Sequence, residues 1–252
     1  MRRLLRILVL FLVSVAILLI APLSLMAFSE TTDRDRWWSG NRGSAGLAPD
    51  PVDEPRAVVQ VYGARTIGRR GAFAVHTWVA TKRPGAAQYT VHHVLGWRYY
   101  RGSSAVVSQQ GTPDFHWFGA VPERYVDLRG DDVEPIIDAV EKAVADYPWA
   151  RRYRAWPGPN SNSFTAFIGR EVPALELDLP PTAIGKDYLG DWTFVRPAPS
   201  ATGWQFSVLG LLGLTLARSE GVELNLLGLG VGVDFDDLRL RLPGVGFASL
   251  PD

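Results

Sequence analysis

The N-terminus constrains this chain more than any other segment. "MRRLLRILVLFLVSVAILLIAPLSLMAFSE" sets Arg2, Arg3 and Arg6 before an apolar run from Ile7 to Phe28 that only Ser14, Pro22 and Ser24 interrupt. A helix needs about 20 apolar residues to cross a bilayer, and arginines clustered before it favour a cytoplasmic N-terminus. Residues 1–28 therefore read as an uncleaved transmembrane anchor, with the lipid bilayer as partner of residues 7–28. The alternative is a cleaved secretory signal, but its apolar region would be overlong and Leu25-Met26-Ala27 is a poor small-x-small cleavage site. A buried soluble helix is disfavoured because no polar face divides the run. The expected location is the inner (cytoplasmic) membrane, single-pass, with the globular part extracytoplasmic.

The remaining composition narrows the chemistry. Lys plus Arg equals Asp plus Glu, 26 each in 252 residues, and no finger, P-loop or dinucleotide fingerprint is present, so nucleic acid is not an expected partner. No cysteine occurs, which excludes disulfides, thiolate metal sites, a lipoprotein acylation site and a Cys nucleophile together. No cofactor is indicated.

Residues 29–56 mix Asp, Arg, Gly, Ser and Pro without apolar periodicity and read as a tether, apart from the aromatic pair Trp37-Trp38, which suits either the membrane interface or docking on the domain. β-branched and aromatic residues predict strands at 57–62, 72–80 and 89–97. Pro84-Gly85 suits a type II turn; centring a hairpin there sets His76 opposite His93, whereas a one-residue slip would bring His92 there. Helical spacing of Val133, Ile136, Ile137, Val140 and Val144 predicts a helix over 131–147, with Asp132 available as a cap. A second helix is predicted from Asn160, with Phe164, Phe167, Ile168 and Val172 as its apolar stripe and Pro173 as its stop. Residues 204–217 and 222–235 share the tetrapeptide LLGL and predict two long strands, apolar on both faces, forming a hairpin. Such a hairpin must be covered by the core, a partner or the membrane surface.

"PGPNSNSFTAFIGREVP" (157–173) carries the candidate chemistry. Ser161 at a helix N-terminus sits where amide groups and the helix dipole stabilise an oxyanion, and a strand imidazole within reach can take its proton. His76 and His93 are the candidate partners. "NSNSF" (160–164) resembles the Asn-Cys-x-x-Phe signature of circularly permuted papain-like enzymes, the NlpC-type peptidases and lecithin retinol acyltransferase-like proteins. That resemblance implies Ser161 as nucleophile, His76 as general base and His93 as the residue orienting it. Asn160, Asn162 and Trp78 are the candidate binding residues. Ser in place of Cys is a departure, because a hydroxyl needs a well-aligned base to react. Simpler readings stand beside it. Ser and Asn are the best helix caps, so "PNSNS" is explained by capping alone. His76 is equally a core histidine. His92-His93 with Asp114 and His116 offers a metal set, without a tight ligand motif. Arg69-Arg70 and Arg151-Arg152 read as solvated charge, although either pair could meet an anionic envelope polymer or lipid headgroup. Lys186, Asp187 and Asp191 read as loop residues.

"HTWVATKRPGA", "YRAWPGPNSNSFTAFI" and "LDLPPTAIGKDYL" resemble an uncharacterised family of bacterial membrane-anchored proteins (DUF3750-like), which implies a cell-envelope setting and no established activity. The expected fold is α+β: an antiparallel sheet with packed helices, a permuted papain-like core over 57–192, a C-terminal β-hairpin extension over 193–252 and the N-terminal transmembrane helix. Two functions remain open, a non-catalytic envelope protein and a Ser-dependent amide or ester hydrolase or acyltransferase.

Overall fold

The computed structural model describes residues 2–28 and 40–249, so Trp37 and Trp38 lie outside the described residues. The apolar run forms one helix, α1 (Arg2–Phe28), of which Arg3–Ala27 is long and apolar enough to cross a membrane. The β-branched segments become β1 (Ala57–Arg65), β2 (Val75–Lys82) and β3 (Tyr89–Val94). With β4 (Val106–Gly111) and β5 (Glu123–Gly130) they form an antiparallel sheet in the order β4-β3-β2-β1-β5. β3 stops short of the expected Trp97, because a short helix, α2 (Gly96–Tyr100), begins there.

The β2–β3 register differs from the expectation. Ala86 N–H donates to the Arg83 carbonyl at 3.1 Å, and Gly85 takes the positive φ of +67° that a type II turn requires. Three more residues follow before β3 starts, so the hairpin is not centred on Pro84-Gly85. Val79 pairs with His92 and Ala80 with Val91, which sets Trp78, not His76, opposite His93. The shift is two residues, an even number, so His76 and His93 stay on one face.

α3 (Glu134–Ala145) and α4 (Ser161–Glu171) cover one face of this sheet. Asp132 does not cap α3; Val133 holds that position without a side-chain bond and a proline stands in the first turn, where no N–H is needed. Val59, Val61 and Val79 pack with Ile137, Val140, Phe164 and Ile168 in this layer. The other face buries Tyr62, Trp78, Val91 and Trp117, with Leu47, Ala48 and Phe115 against them. Residues 44–48, which read as tether, lie on this face: Asp114 Oδ2 accepts from Ser44 Oγ at 2.8 Å and from the Leu47 and Ala48 amides at 2.6 and 3.2 Å.

The C-terminal third is not one hairpin. It is a seven-stranded antiparallel meander of β6 (Val195–Pro197), β7 (Gly203–Val208), β8 (Leu212–Ala217), β9 (Gly221–Leu226), β10 (Leu229–Asp234), β11 (Arg239–Leu242) and β12 (Gly246–Ser249). Each predicted long strand folds back at a Leu-Gly pair. Leu209 and Gly210 have φ of +55° and +75°, and Leu227 and Gly228 have +57° and +88°, the handedness of a type I′ turn. The sheet is inverted. Gln205, Ser207, Thr215, Glu223, Asn225 and Arg241 are buried against the rest of the protein, while Trp204, Phe206, Leu212, Leu216, Val222 and Leu224 are exposed. Burial of this apolar face in the core, one of the three expected coverings, does not occur.

Candidate functional site

The N-terminus of α4 is fastened by its own cap and by two loops. Asn160, not Ser161, is the N-cap: its Oδ1 accepts from the Asn162 and Ser163 amides at 2.9 and 3.1 Å, and Ser163 Oγ accepts in return from Asn160 N–H at 3.1 Å. Asn160 Nδ2 donates to the Ala155 and Ile184 carbonyls at 3.0 and 2.9 Å. Asn162 Nδ2 donates to the Val75 and Ile184 carbonyls at 3.0 and 2.8 Å, and its Oδ1 accepts from Thr77 Oγ1 at 3.0 Å. Gly185 has to be glycine, since its φ is +104° and a Cβ there would stand 2.3 Å from Asn160 Nδ2. Every one of these bonds is structural, and together they tie β2, α4 and residues 184–185 into one unit.

Ser161, buried at the first helical position, meets β2 through its carbonyl, 3.4 Å from Thr77 Oγ1. Thr77 points towards α4, so its neighbour His76 points to the opposite face of the sheet. There His76 stacks on Trp117 with ring centroids 3.8 Å apart and lies 5.8 Å from the His93 ring and 5.9 Å from Trp78. His76 Nε2 has no hydrogen-bond partner among the described residues, and neither ring nitrogen of His93 has one. The structure thus brings His76, His93 and Trp78 together and Asn160, Ser161 and Asn162 together, on opposite sides of β2. The expected Ser161–His76 hydrogen bond is not formed among the described residues: Ser161 meets β2 through its carbonyl on the Thr77 side, whereas alternation along β2 turns the His76 ring to the Trp117 side.

Burial dominates the histidines' electrostatics. It lowers His93 to about 4, with His92 adding a smaller effect, and lowers His76 well below its ordinary value, helped by His93. His92 is lowered to about 4 by burial and bonds to Thr81 Oγ1 and Ser108 Oγ at 3.2 and 2.8 Å on the α4 face. His92 and His93 therefore diverge, and Asp114 is engaged by residues 44–48. No group of three or more His, Asp or Glu suited to hold a metal occurs among the described residues.

A second buried cluster went unread in the sequence. Lys186 Nζ lies 2.6 Å from Glu223 Oε1, and Glu223 Oε2 lies 2.6 Å from Arg241 Nε. Arg241 continues to Asp178 Oδ2 at 2.8 Å and to the Leu179 carbonyl at 2.6 Å. Arg170 reaches the same region, donating to the Lys186 carbonyl at 2.9 Å and to Gln205 Oε1, while Gln205 Nε2 donates to Asp187 at 2.6 Å. Burial would raise the Glu223 carboxyl, but the Lys186 and Arg241 charges outweigh it and hold Glu223 below its ordinary value. The only sequence signal was the alternation of polar with apolar residues in "WQFSV" and "VELNL", whose polar members are the inward ones.

Capping makes a distinct prediction for neighbouring residues. Asn160→Ala should destabilise the protein by about 1–2 kcal/mol through the lost cap, and by more if the Ala155 and Ile184 carbonyls stay unpaired. Ser161→Ala should change stability by less than about 0.5 kcal/mol. Denaturant titration of the full chain in non-ionic detergent, followed by tryptophan fluorescence, compares the two.

No curated protein and no solved structure matches the chain. The model of the family described as "Protein of unknown function (DUF3750)" matches residues 56–188, a span that holds the first sheet, α3, α4 and the loop that locks Asn160. That is more than half of the chain, and the protein belongs to this family.

Proposed function

We propose that this protein is a non-catalytic, membrane-anchored component of the bacterial cell envelope, held by α1 at the inner membrane with its two-sheet domain on the extracytoplasmic side. The observation that supports the non-catalytic part is that Ser161 meets Thr77 of β2 through its carbonyl while the neighbouring His76 ring stacks on Trp117, with no hydrogen bond between the two residues. A serine nucleophile requires a base within hydrogen-bond reach. Of the amides at the start of α4, those of Asn162 and Ser163 are already engaged by Asn160, which reduces the donors open to an oxyanion. What remains in favour of a papain-like relationship is the seating of the α4 N-terminus on β2. The extracytoplasmic orientation is supported by Arg2, Arg3 and Arg6 preceding the apolar run. An anionic envelope polymer or lipid is the partner class that the setting favours.

Two measurements test this reading. A fluorophosphonate probe should leave the full chain unlabelled; labelling that disappears in both Ser161→Ala and His76→Ala would establish the hydrolase or acyltransferase instead. A reporter fused after Asp252 should read as extracytoplasmic, and a cytoplasmic signal would reverse the orientation.

A further inference from the structure

We infer that the outward face of the C-terminal sheet lies in the lipid of the same bilayer that α1 enters, so that the domain is embedded in one leaflet rather than suspended above it. The inference rests on the reading of α1 as membrane-inserted and adds a second, independent membrane contact to it.

The first ground is the polarity of the sheet. In a sheet with one solvated face the apolar side packs inward and the polar side faces water. Here the order is reversed in register across neighbouring strands: Trp204 pairs with Leu216 and Leu216 with Val222, all outward, while Gln205 pairs with Thr215 and Thr215 with Glu223, all inward. Leu212 and Leu224 are 58% and 55% exposed, yet Glu223 is 2% and Arg241 0% exposed. A contiguous apolar face of this extent is unusual on a water-facing surface.

The second ground is the position of α1. Val15, Leu18, Leu19, Pro22 and Met26 form one stripe of the helix that is partly or fully buried, although the rest of α1 is largely exposed. α1 runs beside β10 and the 3-10 turn of residues 68–72. A Cβ on Gly244, in the turn between β11 and β12, would stand 2.8 Å from Pro22 Cα and 2.9 Å from the Ala72 carbonyl, so Pro22 and this turn are at one level. Arg69 and Arg70 are exposed on the 3-10 turn that supplies Ala72, where two cations suit the headgroup layer. Leu19 and Val15 then lie roughly 5–10 Å deeper at the helical rise of about 1.5 Å per residue, the depth to which interfacial apolar faces are buried. A lipid occupant follows from this continuity: the apolar sheet begins beside α1, the segment read as entering the membrane.

The absence of cysteine allows clean single-site labelling. Leu212→Cys, Leu224→Cys, Leu12→Cys in α1 and Tyr100→Cys at the end of α2, each carrying an NBD fluorophore, are placed one at a time in the full chain. Each is reconstituted in vesicles of phosphatidylcholine with a minority of phosphatidylglycerol. Acyl-chain nitroxide lipid should quench positions 212, 224 and 12 roughly threefold or more above position 100, and aqueous iodide should show the reverse order. Iodide quenching of 212 and 224 equal to that of 100, with 12 still quenched by lipid, overturns the embedded sheet and leaves the anchor standing. Loss of lipid quenching at 12 as well removes both. Protection of 212 and 224 from both quenchers, with self-quenching that falls as unlabelled protein is added, assigns the face to a second copy and overturns the inference.

Discussion

Glu223→Ala is expected to destabilise the protein by about 3–5 kcal/mol, enough to threaten folding of a domain of ordinary stability. The carboxylate stands between two buried cations, Lys186 and Arg241, at 2.6 Å from each. Neither cation can reach water by rotation, since Lys186 is 2% and Arg241 0% exposed. Removing the anion leaves Lys186 with Asp187 at 3.6 Å and Arg241 with Asp178, and both of these must then serve more positive charge than before. Glu223→Gln should lose most of the same energy, because the shape is kept and the charge is not. The pair Lys186→Met and Glu223→Leu tests whether charge is the cause: deleting both partners should cost less than the sum of the single changes by about 2 kcal/mol. Denaturant midpoints of the four proteins in one detergent give the cycle, and strict additivity would show that cavity formation, not charge, sets the loss.

That cluster also shows where reading the sequence fails. Lys186, Glu223 and Arg241 come from a loop, β9 and β11, and no local pattern pairs positions so far apart. By contrast α4 was legible, because a run of cap-forming residues precedes a helical apolar stripe and a proline ends it, although the cap proved to be Asn160. The β2–β3 turn was legible and the register was not: Pro84-Gly85 set the bend but not the three residues that follow it. In the C-terminal third the period-two alternation was present in "WQFSV", "LGLTL" and "VELNL". It was obscured by Leu-Gly turns that lack the usual Asn-Gly signal and by the assumption that apolar residues face inward. Whether Ser161 and His76 meet depended on which face of β2 receives α4, a tertiary choice that spacing does not encode.

Acidification from pH 7 towards 4 should destabilise the protein through its buried histidines, and the sign follows from which state binds the proton. His93 and His92 are held to about 4 by burial when folded, and His76 is also depressed, whereas a free imidazole titrates near 6.5. Between those values the unfolded chain takes up protons that the native state refuses, so the full contribution is present above pH 6.5 and is lost as pH falls to 4. A shift of that size corresponds to roughly 3 kcal/mol for each of His92 and His93. Asp178 acts in the opposite sense: burial, opposed by Arg241, raises its carboxyl to about 6. Its native form therefore gains a proton first and recovers roughly 3 kcal/mol over the same interval. Asp187 and Glu123, raised by burial, act with Asp178, whereas Glu223, Asp127 and Asp234 are held below their ordinary values and act with the histidines, so the net slope should be a loss. His93→Phe keeps a ring beside Phe115 and Trp117, 6.2 and 6.3 Å away in the native cluster, and removes one titrating group. Its denaturant midpoint should match the native protein near pH 7.5 or exceed it, since two unpaired ring nitrogens are gone. It should fall less steeply below pH 6.5. Equal pH slopes for the two proteins in the same detergent would show that His93 does not resist protonation in the fold, and that the unpartnered nitrogens behind Trp117 are reached by water.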